Sequence, residues 1–199
     1  MAKDLINTSI LKLFLSYFIP SFVSMFVLST YVIVDGIFVG NGIGEIGLGA
    51  IGLVTPIFSL FIGIELLFGI GGAALVSISL GKNKPHKARI IFSSIIYCLT
   101  SLGILLSIIM FIFREKLAYA LGSNDELLAY VMPYLSVIII GNTIILLQST
   151  LCTFARNDKA PNLAMISFVF GSIINIFLNY IFIFICQWGM FGAAFSTIL

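Results

Sequence analysis

Two carboxylates and two amides stand in stretches that are otherwise apolar. Asp35 lies in YVIVDGIFVGN (31–41), Glu65 in FIGIELLFGI (61–70), and Asn175 and Asn179 in FGSIINIFLNYIF (170–182). An acid in hydrocarbon costs at least ~2.5 kcal/mol on insertion scales, so it turns toward protein or water and finds a partner. A carboxylate aligned with hydroxyl and amide oxygens can seat Na+ or H+, because hard cations prefer oxygen ligands. At ~100° per residue on a helix, Tyr17, Ser21, Ser24 and Tyr31 fall within about 40° of Asp35, with Leu28 the one apolar break. Asp35 therefore either closes an inward-facing polar stripe, as a cation or proton site, or meets interfacial water at the end of its span.

The other polar positions follow the same period. Ser172, Asn175 and Asn179 share one helix side. Each asparagine can offer a carbonyl oxygen to a cation or bond a neighbouring helix. Ala193 and Thr197 are one turn apart in GAAFSTIL (192–199). Gly69, Ala73, Ser77 and Gly81 form a small-residue stripe, of the kind that lets helix backbones approach closely. One turn before that stripe stands Glu65, which the pattern turns toward the protein. It is either a protonated, hydrogen-bonded structural acid or a proton or cation site. Asn142 and Gln148 do not share a face and receive no common role.

Several other chemistries are disfavoured. His86 is the single histidine and sits among lysines, which makes a poor metal site. Cys98, Cys152 and Cys186 are isolated in apolar runs and are expected to be small core residues. GIGGAALVS (69–77) lacks the Gly-Lys-Ser/Thr ending of a phosphate loop and lies inside a span. Any transport by this chain therefore needs another driving force, such as an ion gradient. No nucleophile–base pair is visible, so an enzyme is not expected and no cofactor is implied beyond a coupling ion.

The elements that must position these groups are membrane helices. Of 199 residues, 60% are hydrophobic and 9% charged, with a mean hydropathy of +1.19. Soluble domains carry about 25% charged residues, so this chain belongs in a lipid bilayer. A net charge of +2 gives no reason to expect nucleic acid. A helix needs ~20 apolar residues to cross ~30 Å of hydrocarbon. Spans are expected near 10–39, 48–80, 90–113, 130–154 and 163–188, with an incomplete sixth over 192–199. Pro20 and Pro56 are the expected kinks. Lys3, Lys12, Lys82, Lys84, Lys87, Arg89, Arg156 and Lys159 fall on one side of alternating spans, and only Arg114 and Lys116 on the other. That asymmetry predicts a cytoplasmic N-terminus. The opposite-side stretch 115–129 is expected to hold a short interfacial helix, with Ser123 as a cap and Asp125 and Glu126 in its first turn. The first apolar run is too long for a cleaved signal segment and is expected to remain as a span.

Taken in order, several motifs resemble the N-terminal half of a multidrug and toxic compound extrusion (MATE) transporter, closest to the bacterial drug-exporting branch. They are Pro20, VDGIFVGNGIGEIGLGAIGLVTP (34–56), GIGGAALVSISLGKNK (69–84), ARNDKAPNLA (155–164), NIFLN (175–179) and GMFGAAFST (189–197). The resemblance implies an all-α polytopic bundle: one six-helix lobe of a twelve-helix transporter, with its sixth helix truncated and its C-terminal lobe missing. It implies a multi-pass protein of the cell membrane that exports drug-like, often cationic, amphipathic compounds in exchange for Na+ or H+. It also implies a cation site in which Asp35 works with Asn175 and the position of Asn179. Thr197 and the Ala193 carbonyl on the sixth helix complete that site.

Two departures accompany the resemblance. Asn179 stands where the family pattern has an aspartate, which removes one negative charge from the site. Glu65 is an acid the pattern does not require. Two further readings stay open: a flippase or polysaccharide exporter of the same superfamily, and a truncated membrane fragment that transports nothing. A fragment or partial reading frame is the expectation over a working homodimer.

Overall fold

The computed structural model describes residues 9–199, which form helices and the turns between them. Lys3 lies outside the described residues. Lipid offers no partners to an open backbone, so each crossing closes its own hydrogen bonds as a helix. The first span is α1 (Ile10–Gly42). The second comprises α2 (Glu45–Glu65), a π-helical turn (Leu66–Ile70) and α3 (Gly71–Gly81). The third is α4 (Pro85–Ile112), followed by a short helix α5 (Arg114–Ala120). The fourth is α6 (Asp125–Asn157). The fifth runs through α7 (Pro161–Tyr180) into a second π-helical turn (Ile181–Ile185), and α8 (Gly189–Ile198) follows. Five of these units are long and apolar enough to cross a membrane.

Local chemistry explains the boundaries. Pro85 and Pro161 open α4 and α7, where a missing N–H costs nothing. Gly44, at φ 96°, occupies the left-handed region between α1 and α2 that a side chain would strain. Asn124, not Ser123, caps the helix that follows it. Its Oδ1 accepts from the Leu127 N–H at 2.8 Å, whereas the Ser123 hydroxyl turns to the Asn124 carbonyl. Asp125 and Glu126 do lie in a first turn, but it is that of the long span α6 and not of a short interfacial helix. The short helix is α5, upstream of both.

The two proline positions stay within helix: α1 runs through Pro20 and α2 through Pro56. The departures from regular α-helix lie at the two π-helical turns. At 33 residues, α1 and α6 are about 50 Å long, more than the hydrocarbon thickness, so they tilt or protrude.

The centre of the bundle is α6. Half of its apolar window is buried, against 11% for α1 and α4. It packs against α2, α4, α7 and α8, while α1 packs chiefly on α7. Val131, Leu135, Ile138 and Ile139 of α6 are fully buried. Gly141 lets α8 approach, because a Cβ there would overlap the Ile198 side chain. The remaining helices present Leu, Ile and Phe outward, as a lipid-facing surface requires. The ladder Phe14–Phe18–Phe22–Phe26 stacks along the exposed side of α1. Cys98 and Cys186 belong to this outer surface and not to the core expected for them. Only Cys152 is buried.

Candidate cation site

Helix α7 carries its polar stripe inward. Ser172, Asn175 and Asn179 are all buried, and Asn179 has no exposed surface. Helix α1 lies against α7 and brings Asp35 to the same place. The Asn179 Nδ2 group donates to Asp35 Oδ1 at 2.6 Å and to Asn175 Oδ1 at 3.1 Å. From α8, the Ser196 hydroxyl approaches Asn179 Oδ1 at 2.7 Å and the Ala193 carbonyl at 2.8 Å, sharing its proton between them. Asn179 therefore uses both of its N–H bonds and its carbonyl oxygen. The amide is oriented by its partners: Nδ2 faces two oxygens, Asp35 Oδ1 and Asn175 Oδ1, and Oδ1 faces the Ser196 hydroxyl.

The predicted residues are placed unequally. Asp35, Asn175, Asn179 and Ala193 come together. Thr197 sits one residue beyond Ser196, and its hydroxyl donates to the Ala193 carbonyl at 3.1 Å, one turn back in its own helix. Ser196, not Thr197, is the hydroxyl that reaches Asn179. Spacing could not separate the two, because both hydroxyls return to the Ala193 carbonyl and only the rotation of α8 decides which one faces α7.

The stripe on α1 contributes less than its spacing suggests. Ser24 is buried but bonds the Pro20 carbonyl in its own helix at 2.7 Å. Tyr17 and Ser21 are half-buried. Tyr31 is half-buried too, and both it and the buried Tyr134 of α6 lie within electrostatic reach of Asp35.

Four oxygens surround the Asn179 amide: the Asp35 carboxylate and Asn175 Oδ1 on its N–H side, the Ser196 hydroxyl on its carbonyl side, and the Ala193 carbonyl behind that hydroxyl. A hard cation suits such a set. The Asn179 N–H groups already bond two of these oxygens. A cation between Asp35 and Asn175 would have to replace them.

Glu65 lies outside this cluster, at the end of α2. It is buried against α6, where Thr153 Oγ1 donates to its Oε1 at 3.2 Å. Gly69 and Ala73 of the small-residue stripe are buried beside it, while Ser77 and Gly81 are exposed. Asn142 is buried and Gln148 exposed, on different sides of α6.

Known proteins resemble this chain over nearly its whole length. Multidrug export protein MepA of Staphylococcus saprophyticus is 30% identical over 191 residues, covering 96% of this chain and 42% of that protein. MepA of Staphylococcus aureus strain MSSA476 is 28% identical over the same coverage. The outward-facing structure of a multidrug resistance MATE transporter of the MOP superfamily superposes with a TM-score of 0.86 at 28% identity. That match covers 92% of this chain and 41% of the other. The chain thus spans about two-fifths of the length of these relatives. The sequence pattern of the MatE family matches residues 20–181, from the first proline of α1 through the whole of α7. A match of that extent, on an all-helical membrane bundle of the same shape, means that the chain belongs to the MatE family of multi-pass membrane transporters.

Proposed function

We propose that this chain forms the N-terminal lobe of a cation-coupled antiporter of the cell membrane that exports drug-like, often cationic, amphipathic compounds. A second lobe completes the transporter, and Na+ or H+ entering the cell drives export. The MepA relatives, named as multidrug export proteins, support the substrate class. The observation that carries the coupling role is the Asn179–Asp35 bond, which ties α1 to α7 through a buried amide.

On this reading Asp35 is the coupling acid. A proton would bind its carboxylate directly. A sodium ion would lie between Asp35 and Asn175, with the Ala193 carbonyl and the Ser196 hydroxyl beside it. To admit the ion, the Asn179 amide turns over and offers Oδ1 in place of its N–H groups. Either ion replaces the Asn179–Asp35 hydrogen bond, a proton by neutralising the acceptor and sodium by bridging the oxygens, so loading the site changes how firmly the two spans are joined. Such a link gives an ion gradient a means to bias two arrangements of a lobe.

The charge pattern supports an orientation. Lys12, Lys82, Lys84, Lys87, Arg89, Arg156 and Lys159 cluster at the end holding the α3–α4 and α6–α7 turns, and Arg114 and Lys116 at the other. The first end is assigned to the cytoplasm, with the N-terminus.

The test uses vesicles holding the intact transporter that contains this lobe. Asp35→Asn abolishes ion-driven efflux of a cationic dye, while the amount of inserted protein stays unchanged. Efflux that continues at the wild-type rate overturns the assignment.

A further inference from the structure

One end of the bundle gathers cations with little to balance them. The turn after α3 and the first residues of α4 carry Lys82, Lys84, Lys87 and Arg89, all exposed. The end of α6 and the turn after it carry Arg156 and Lys159. Asp158 is the one carboxylate in these two segments. The candidate cation site uses none of these side chains.

The two turns are held side by side. Ser77, near the end of α3, donates to Asn157 Oδ1, and Asn157 Nδ2 donates to the Ala73 carbonyl, both at 2.8 Å. The Phe92 ring of α4 meets Phe154 of α6 edge-on at 4.9 Å. The Arg156 guanidinium sits over the Phe168 ring of α7, 5.4 Å from its centroid. The same backbone bond closes each turn: the Lys84 N–H donates to the Ser79 carbonyl and the Ala160 N–H to the Ala155 carbonyl, both at 3.0 Å. Asn83 and Lys159 take matching left-handed positions, at φ 54° and 62°. The cations therefore stand on a defined frame. Helices α4 and α7 both begin here, and neither start has a side-chain cap. Their first-turn N–H groups add partial positive charge to the same end.

The depth of the patch selects its partner. Exposed apolar side chains stop where the cations begin: Leu80 lies two residues before Lys82, Ile90 follows Arg89, and Leu163 lies four residues after Lys159. In a bilayer that boundary is the headgroup layer, and lysine stems lie along apolar surface while their ammonium groups reach it. The anion concentrated there is the lipid phosphodiester. We propose that the two turns together form a docking surface for the headgroups of anionic phospholipids, which bridge the second span to α6. Charge complementarity singles out lipids with a net negative charge, because a zwitterionic headgroup brings its own cation to the patch. The assignment needs only that the chain spans a membrane. It depends neither on the Asp35 site nor on drug export.

The experiment follows thermal melting of the purified full chain in neutral detergent, titrated with dioleoyl phosphatidylglycerol or dioleoyl phosphatidylcholine. The acyl chains are the same, so the headgroup alone differs. Phosphatidylglycerol is expected to raise the melting temperature by about 5 °C more than phosphatidylcholine, because a ligand of the folded state stabilises it. Lys82→Gln, Lys84→Gln, Lys87→Gln and Lys159→Gln together move the phosphatidylglycerol midpoint to roughly 100-fold more lipid. Arg114→Gln with Lys116→Gln, at the opposite end, leaves it in place. Native mass spectrometry of the wild-type chain in an equimolar mixture of the two lipids needs no variant, and phosphatidylglycerol is expected to be the one retained. Equal shifts or equal retention of the two lipids overturn the proposal, as does a midpoint that the four lysine substitutions leave unmoved. Inorganic phosphate that reproduces the shift also overturns it, because the patch then takes a soluble anion and not a headgroup.

Discussion

Asn179 donates to Asp35 across the α1–α7 contact at 2.6 Å, so an uncharged amide holds the place a bridging cation would take. The amide satisfies the carboxylate without an ion. A second carboxylate at the same position could not do so, because two ionised groups repel and neither carries a donor.

The substitution Asn179→Asp is therefore expected to make the lobe dependent on its ion. Losing a hydrogen bond to a charged group costs about 1.5–3 kcal/mol. For a chain of this size, that lowers the melting temperature by about 5 °C in sodium-free buffer. Sodium restores it by binding the folded state. Thermal melting of the detergent-solubilised protein, with and without sodium, reads both effects. A variant that melts like wild type and ignores sodium contradicts the geometry.

Adjacent residues on α8 separate two roles. Ser196→Ala removes the donor to the fully buried Asn179 oxygen and is expected to cost about 1–3 kcal/mol. Thr197→Val removes only a bond within its own helix, and bonds of that kind add little. Denaturant or thermal unfolding of both variants ranks them. If Thr197→Val is the more damaging, the hydroxyl contact has been assigned to the wrong residue.

Glycine substitutions should divide by surroundings. Gly141→Ala drives a methyl into the Ile198 side chain at the α6–α8 contact and is expected to cost about 1–3 kcal/mol. A Cβ at Gly36 meets nothing within 4 Å, so Gly36→Ala gains helix propensity of up to about 1 kcal/mol. Opposite signs in a melting comparison are the expected result; equal losses would mean that contact distance is not what decides.

What was legible in the sequence was whatever depended on period and composition. Charge-free length marked the spans. The spacing of Ser172, Asn175 and Asn179 put them on one face, and the small-residue stripe turned Glu65 inward, because both patterns repeat with the helix itself. What escaped depended on the packing of one helix against another. Ser196 and Thr197 differ by about 100° of rotation, and the rotation of α8 is set by its approach to Gly141, which no local signal reveals. The cap fell to Asn124 and not Ser123 because the chain reaches α6 one residue later than its hydroxyl suggests. Cys98 and Cys186 face outward because, in a bilayer, an apolar run does not say which of its faces meets protein. The π-helical turns carry no proline and left no mark in the sequence.

The central position of α6 sets where this protein tolerates change. Four helices read their position from one, so variation at Leu135, Ile138 or Asn142 is transmitted in several directions at once. Variation on the exposed faces of α1 or α4 disturbs no packed neighbour within this lobe. Among natural variants, sequence drift should accumulate along the rim and stall along the axle.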